Sequence, residues 1–193
     1  MIKEAEKHLS SVDQTLAEII ALCGPCKIKP ERPYFFVLCD AIISQQVSVK
    51  AAAAIIGRFK ALYEKSNPSP ADILSTPDEQ LQGVGISRAK TTYIKTLAEA
   101  FQSKAITPRR FQEMEDEQII EQLVKVKGIG VWTAQMFLIF SLNRPDILPV
   151  ADLGIQRAIQ VNYNLTQLPK AKEMLEIAEP WKPYRSIASW YLW

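Results

Sequence analysis

The sequence predicts an all-α protein. Three observations carry that reading. Apolar residues recur at helical spacing through nearly every segment, as at Leu16, Ile19, Ile20 and Cys23. Residues that favour helix caps precede these segments, and glycine or proline follows several of them. No pair of alternating strands and no Asn-Gly hairpin occurs.

Taken in order, residues 13–22 form the first predicted helix, stopped by Gly24 and Pro25. Residues 34–43 are a strongly apolar stretch. Ser48 caps a helix over 49–63 with an alanine-rich centre. Asn67-Pro68-Ser69-Pro70 is a loop. Thr76 caps a short helix with Pro77 at its first position and an acidic first turn, ending at Gly83. Ser87 caps residues 88–100, Thr107-Pro108 starts another helix, and Asp116 caps 117–126. Helices over 132–140, 153–163 (capped by Asp152) and 184–193 complete a set of roughly ten to twelve short helices.

The bulk composition is that of an ordinary globular protein. The chain has 193 residues, enough for one domain or two small lobes with a real core. A net charge of +2 is too weak to indicate nucleic acid by itself. No apolar run approaches the roughly 18 residues of a membrane span, and the charged, amphipathic start lacks a signal-peptide core. The expectation is a cytoplasmic monomer, nucleoid-associated in a bacterium or nuclear in a eukaryote, with no membrane partner. Three cysteines, Cys23, Cys26 and Cys39, argue against a disulfide framework and cannot supply a four-thiolate iron–sulfur cluster. Cys23-Gly24-Pro25-Cys26 copies a redox tetrapeptide but lacks the preceding strand and following helix that such a motif needs, so it reads as a helix stop. A lone His8 makes histidine-based triads improbable.

The most informative segment is Lys127-Gly128-Ile129-Gly130-Val131-Trp132-Thr133-Ala134, with Asp152 downstream. Glycine lets a backbone approach another molecule closely, and the first amides of the next helix favour an anion such as a phosphate. Lys125 and Lys127 add positive charge. The plainer reading is a packing corner between two helices, and a lone Gly-x-Gly has that meaning more often than not. Asp152 likewise has a plainer reading, as the cap of the helix that follows it.

These residues resemble the helix–hairpin–helix DNA glycosylases, most closely the 3-methyladenine DNA glycosylase II type in a short form without the N-terminal β-rich domain. The resemblance rests on Leu123-x-x-Val126-x-Gly128-Ile129-Gly130-x-Trp132-Thr133-Ala134 and on Leu148-Pro149-Val150-Ala151-Asp152-Leu153-Gly154-Ile155-Gln156-Arg157. Three further segments agree: Ser44-Gln45-Gln46-Val47-Ser48, Gly85-Ile86-Ser87-Arg88-Ala89-Lys90, and 181–193. It runs from about Pro33 to the end of the chain. It implies a two-lobed glycosylase unit, with a central helical lobe over about 34–148 and a second lobe over about 1–33 plus 149–193.

The resemblance also implies an activity: a monofunctional glycosylase that hydrolyses the N-glycosidic bond of alkylated purines, of the 3-methyladenine and 7-methylguanine type, in base-excision repair. Asp152 matches the family's catalytic acid; Ala151 stands where many relatives carry a second acid. A carboxylate there stabilises an oxocarbenium-like sugar or activates water. Relatives that also cut the backbone carry a lysine nucleophile where this chain has Trp132, and an indole cannot form a Schiff base. Trp132 and Trp193 match pocket aromatics suited to a cationic purine; Met136 and Leu153 replace two tyrosines, and Gln45 or Gln46 lines the pocket or probes the opposite strand. Trp181 and Trp190 read as core.

Lys127, Gly128, Ile129, Gly130, Val131 and Thr133 form the DNA-binding hairpin. By the same resemblance Ile86 matches the wedge that fills the gap left by an extruded base; its plainer reading is an apolar loop residue tucked into the core. No cofactor is required; the resemblance allows a sodium or potassium ion on the main-chain carbonyls of Val124, Val126 and Ile129. The partner is double-stranded DNA with a damaged base. Two rivals stand beside this reading: a glycosylase for deaminated or mismatched bases, and a non-catalytic helix–hairpin–helix DNA-binding module.

Overall fold

A computed structural model describes residues 1–64 and 67–193. The described residues form twelve α-helices and two 3₁₀ turns, without a strand. The helices are α1 (Ile2–Val12), α2 (Gln14–Cys23), α3 (Tyr34–Ser44), α4 (Val49–Ala61), α5 (Pro70–Ser75), α6 (Asp78–Gly83) and α7 (Arg88–Gln102). They continue with α8 (Asp116–Val124), α9 (Val131–Phe140), α10 (Leu153–Asn162), α11 (Ala171–Ile177) and α12 (Arg185–Leu192). Two compact units result: Met1–Pro30 with Leu138–Trp193, and Glu31–Phe137. The chain re-enters the first unit inside α9, earlier than the expected return near 149.

In the unit Glu31–Phe137, α7 packs against α3, α5 and α6, and α3 also meets α4. Leu38, Ile42, Phe59, Ile73, Leu81, Ile94, Leu97 and Phe111 are fully buried there. Each such side chain contributes about 1.5–3 kcal/mol on burial. Tyr34, Phe111 and Phe137 meet as a triangle of rings with centroids 5.4 to 6.0 Å apart. In the other unit, α1, α2 and α12 pack together and α10 joins α12. Trp181 is its largest fully buried side chain, and its indole N–H donates to Asp13 Oδ2 at 2.8 Å.

Several predicted boundaries shift for local reasons. The charged N-terminus is a helix, α1, that buries Ala5 and Leu9 one turn apart. Pro70 is not in a loop but opens α5, because Ser69 and Asp72 form a reciprocal capping box. Thr76 does not cap α6; its hydroxyl donates back to the Asp72 carbonyl at 2.7 Å. Thr107-Pro108 starts only a 3₁₀ turn, Pro108–Arg110, after which Phe111 drops fully into the core. Helix α8 is capped one residue earlier than expected, by Glu115 with Gln118. Helix α11 was not anticipated.

Candidate active site

In the unit Glu31–Phe137 the hairpin is built by α8, a six-residue link over 125–130 and the start of α9. Lys125 closes α8, and Val126 N–H donates to Leu123 O at 3.0 Å. Ile129 N–H donates to Val126 O at 3.0 Å, which tightens the turn. Gly128 sits at φ 96, a backbone region that L side chains avoid. A Cβ there would lie 2.8 Å from Tyr93 Cβ and overlap the Tyr93 ring, so α7 packs directly on the glycine. The first N–H groups of α9 have no helical partner and present a positive end. Lys125, Lys127, Gly130 and Val131 are exposed around them. Ile129 is buried and contributes only its backbone to the surface; Thr133 is also buried, at 6% exposure, and so is not an outward phosphate contact.

An open groove of about 920 Å³ lies beside this hairpin. Its lining includes Gln45, Gln46, Lys90, Tyr93, Trp132 and Met136, all in the same unit. Trp132 is 44% exposed on this groove. Gln45 Nε2 donates to Gly128 O at 2.8 Å, tying the end of α3 to the hairpin. Gln46 is exposed and holds φ 55. Ile86 does not act as a protruding wedge: it is 2% exposed, turned into the core after the chain reverses at Gly85, φ 102. Gln46 is among the exposed residues on this groove. Lys90, unrecognised from sequence as a site residue, donates from Nζ to Ile43 O at 2.8 Å and Gln45 O at 2.6 Å. Burial pushes its ammonium below the ordinary lysine pKa.

In the other unit, Asp152 is held at the N-terminus of α10. Its Oδ1 accepts Ile155 N–H at 2.9 Å and Trp193 Nε1–H at 3.1 Å, and the residue is 9% exposed. Asp152 is therefore a helix cap, and the cap geometry aims a carboxylate held by two N–H donors. The preceding loop is fixed by Asp152 N–H to Pro149 O at 2.9 Å and by Gln156 Nε2 to Val150 O at 2.9 Å. Upstream, Arg185 grips Asp146 bidentately, Nε to Oδ1 at 2.7 Å and a terminal nitrogen to Oδ2 at 2.9 Å. Ser186 Oγ accepts Ile147 N–H at 2.9 Å. The start of α12 thus anchors the loop that delivers Asp152, and its end delivers Trp193. The Trp193 ring lies 5.5 Å from Phe140. Gly154 keeps this corner open, since a Cβ would stand 3.0 Å from Asp152 Oδ1 and 3.4 Å from the Trp193 ring. Leu153 is 48% exposed beside the acid.

The Cys23-Gly24-Pro25-Cys26 tetrapeptide forms the stop of α2, with Cys23 exposed and Cys26 buried. Gly24, at φ 72, caps α2, and burial pushes the Cys26 thiol up. Among the described residues no cluster of three or more His, Cys, Asp or Glu could hold a metal ion, and no helix is long and apolar enough to cross a membrane.

A two-unit helical fold, a glycine hairpin with a basic rim and a fixed carboxylate define a class of DNA-directed protein, and comparison with known proteins makes it specific. The chain belongs to the HhH-GPD superfamily of base excision DNA repair proteins, whose pattern matches residues 39–183. It is 36% identical to the alkylbase DNA glycosidase-like protein mag2 of Schizosaccharomyces pombe, across 99% of this chain and 92% of that one. It is also 36% identical to DNA-3-methyladenine glycosylase 1 of the same yeast, across 100% and 86%. A solved S. pombe 3-methyladenine DNA glycosylase in complex with abasic DNA superposes with a TM-score of 0.86, covering 98% of this chain and 95% of that one.

Proposed function

We propose that this chain excises alkylated purines from double-stranded DNA by hydrolysis, leaving the abasic strand uncut. The observation that carries the proposal is Asp152, a nearly buried carboxylate pinned through Oδ1 by Ile155 N–H and Trp193 Nε1–H. As the C1′–N bond breaks, its electrons pass to the alkylated base, which leaves neutral, and positive charge builds on the sugar. A fixed anion stabilises that charge without having to reorganise. Water then adds at C1′ and gives up a proton, which Asp152 is positioned to receive. Trp132, half exposed on the hairpin helix, supports stacking of the cationic base and has no amine to form an imine with the sugar. Met136 lines the same groove as Trp132, and Leu153 is half exposed beside Asp152. Lys127, Gly128, Gly130 and Val131 support a phosphate grip at the start of α9, and the exposed Gln46 supports a contact with the duplex where a base has been extruded.

The main-chain carbonyls of Val124, at the end of α8, and of Val126 and Ile129, in the turn that follows, are the donor set that a sodium or potassium ion would take; Val126 O also accepts Ile129 N–H. Bound, the ion would supply positive charge near a phosphate; the bond cleavage does not run through it.

The test is release of 3-methyladenine and 7-methylguanine from methylated duplex DNA, wild type beside Asp152→Asn. Wild type is expected to release both, and the variant to lose about a hundredfold or more in single-turnover rate. Equal rates would remove Asp152 from the chemistry. Duplexes carrying one deaminated or mismatched base, run in parallel, are expected to be poor substrates.

A further inference from the structure

The turn between α3 and α4 holds Gln46 at φ 55, a left-handed conformation that non-glycine residues adopt at a cost. The turn does little to hold itself, since Gln45 N–H reaches Ile42 O only at 3.4 Å. Its support comes from two other elements. Lys90 Nζ, one turn into α7, reaches across to the carbonyls of Ile43 and Gln45. A cation at the C-terminal end of a helix is the favourable charge for those carbonyls. The Gln45 side chain in turn donates to Gly128 O, and Gly128 rests on Tyr93 of the same α7. Gln45, Gln46, Lys90, Tyr93 and Gly128 all line the one groove.

From this arrangement we propose that Lys90 is a positioning residue for DNA engagement: by gripping the Ile43 and Gln45 carbonyls it fixes the Gln45–Gln46 turn against the hairpin, acting through these residues and not by touching DNA itself. The proposal rests on the groove being the DNA-binding face. Two of the three N–H donors of the ammonium are used within the protein, so its charge serves the turn before it serves a phosphate.

The experiment measures affinity for a duplex containing a tetrahydrofuran abasic analogue across a salt series. Wild type, Lys90→Met, Gln46→Ala and the double variant are compared, each with a thermal melt. Lys90→Met is expected to weaken binding about tenfold. The slope of log affinity against log salt should stay that of wild type, because no phosphate contact is lost. The double variant should bind within about twofold of Lys90→Met alone, because both changes disable the same turn. Lys90→Arg, which keeps a cation at the carbonyls, should stay within about threefold of wild type.

Unchanged affinity in a folded Lys90→Met protein would overturn the proposal, as would a salt slope reduced by about one or losses that multiply in the double variant. If Lys90→Met melts below the assay temperature, Lys90→Gln carries the same comparisons with the same outcomes. Base release plays no part in these readings, so a failed glycosylase assay leaves them intact. If wild type does not prefer the abasic duplex, the proposed function fails, while the Lys90 comparison is still read on undamaged duplex.

Discussion

Asp152 has a double role that one residue can fill because both roles need the same geometry. Capping α10 requires an oxygen aimed at the helix N–H groups, and stabilising a sugar cation requires an anion that does not move. Trp193 makes the difference between an ordinary cap and a tethered acid, since its indole adds a second donor to Oδ1. This points to an electrostatic role for Trp193 beyond that of a pocket wall. Trp193→Phe keeps the ring against Phe140 and removes only the N–H. The expected result is a fall of about tenfold in single-turnover base release with DNA affinity nearly unchanged. Equal release rates for the two proteins would assign Trp193 to packing alone.

At the scale of elements, the hairpin depends on one backbone position. Gly128 combines φ 96 with direct contact to Tyr93, so a methyl group there meets strain and overlap together. Gly128→Ala is expected to lower stability by about 1–3 kcal/mol and to weaken DNA binding, both measurable by chemical denaturation and fluorescence anisotropy. Gly130→Ala, where a Cβ meets nothing within 4 Å, should be much milder in stability.

The hairpin was legible in the sequence because glycines punctuate helices strongly and locally; so was the cap at Asp152. Sequence leaves Ile86 open between wedge and core, because an apolar residue after Gly-Val-Gly looks the same whether it protrudes or is buried, and burial depends on the distant elements packed around it. Helix α1 was hidden by its charges, since only Ala5 and Leu9 are fully buried along it. Lys90 left no local trace: its acceptors lie 47 and 45 residues away, and a lysine in the first turn of a helix carries no signal of that contact. The left-handed Gln46 was equally invisible, because sequence marks such positions only when glycine or asparagine fills them.

Across the whole molecule, the buried ionisable groups set how stability responds to alkali. Tyr163 and Tyr191 have their pKa values raised above the ordinary 10.0, by burial first and then by hydrogen bonds to Asp13 and Glu6. Their hydroxyls donate at 2.7 and 2.8 Å to those carboxylates, so ionising either one would set two anions against each other. An acid with a raised folded pKa stabilises the fold fully below its unfolded value, and that contribution drains away as pH climbs above it. Cys39 and Tyr63 in the other unit shift in the same direction, by burial. Lys90 has the opposite sign, because its lowered pKa makes the folded state favour the neutral amine as pH rises. The raised groups outnumber it, so stability should be flat near neutrality, begin to fall above pH 9 through the buried Cys39 thiol, and fall more steeply above pH 10 through the tyrosines. Removing one tyrosine hydroxyl isolates a single contribution. Tyr163→Phe leaves Asp13 with the Trp181 indole and Leu16 N–H, and should cost about 1 kcal/mol at neutral pH. Above pH 10 its stability should decline less steeply than wild type, by about 1.4 kcal/mol per pH unit. Urea denaturation of both proteins from about pH 8 to about pH 12 measures the two slopes, and parallel curves would show that Tyr163 ionises over the same pH range in the folded and unfolded chain.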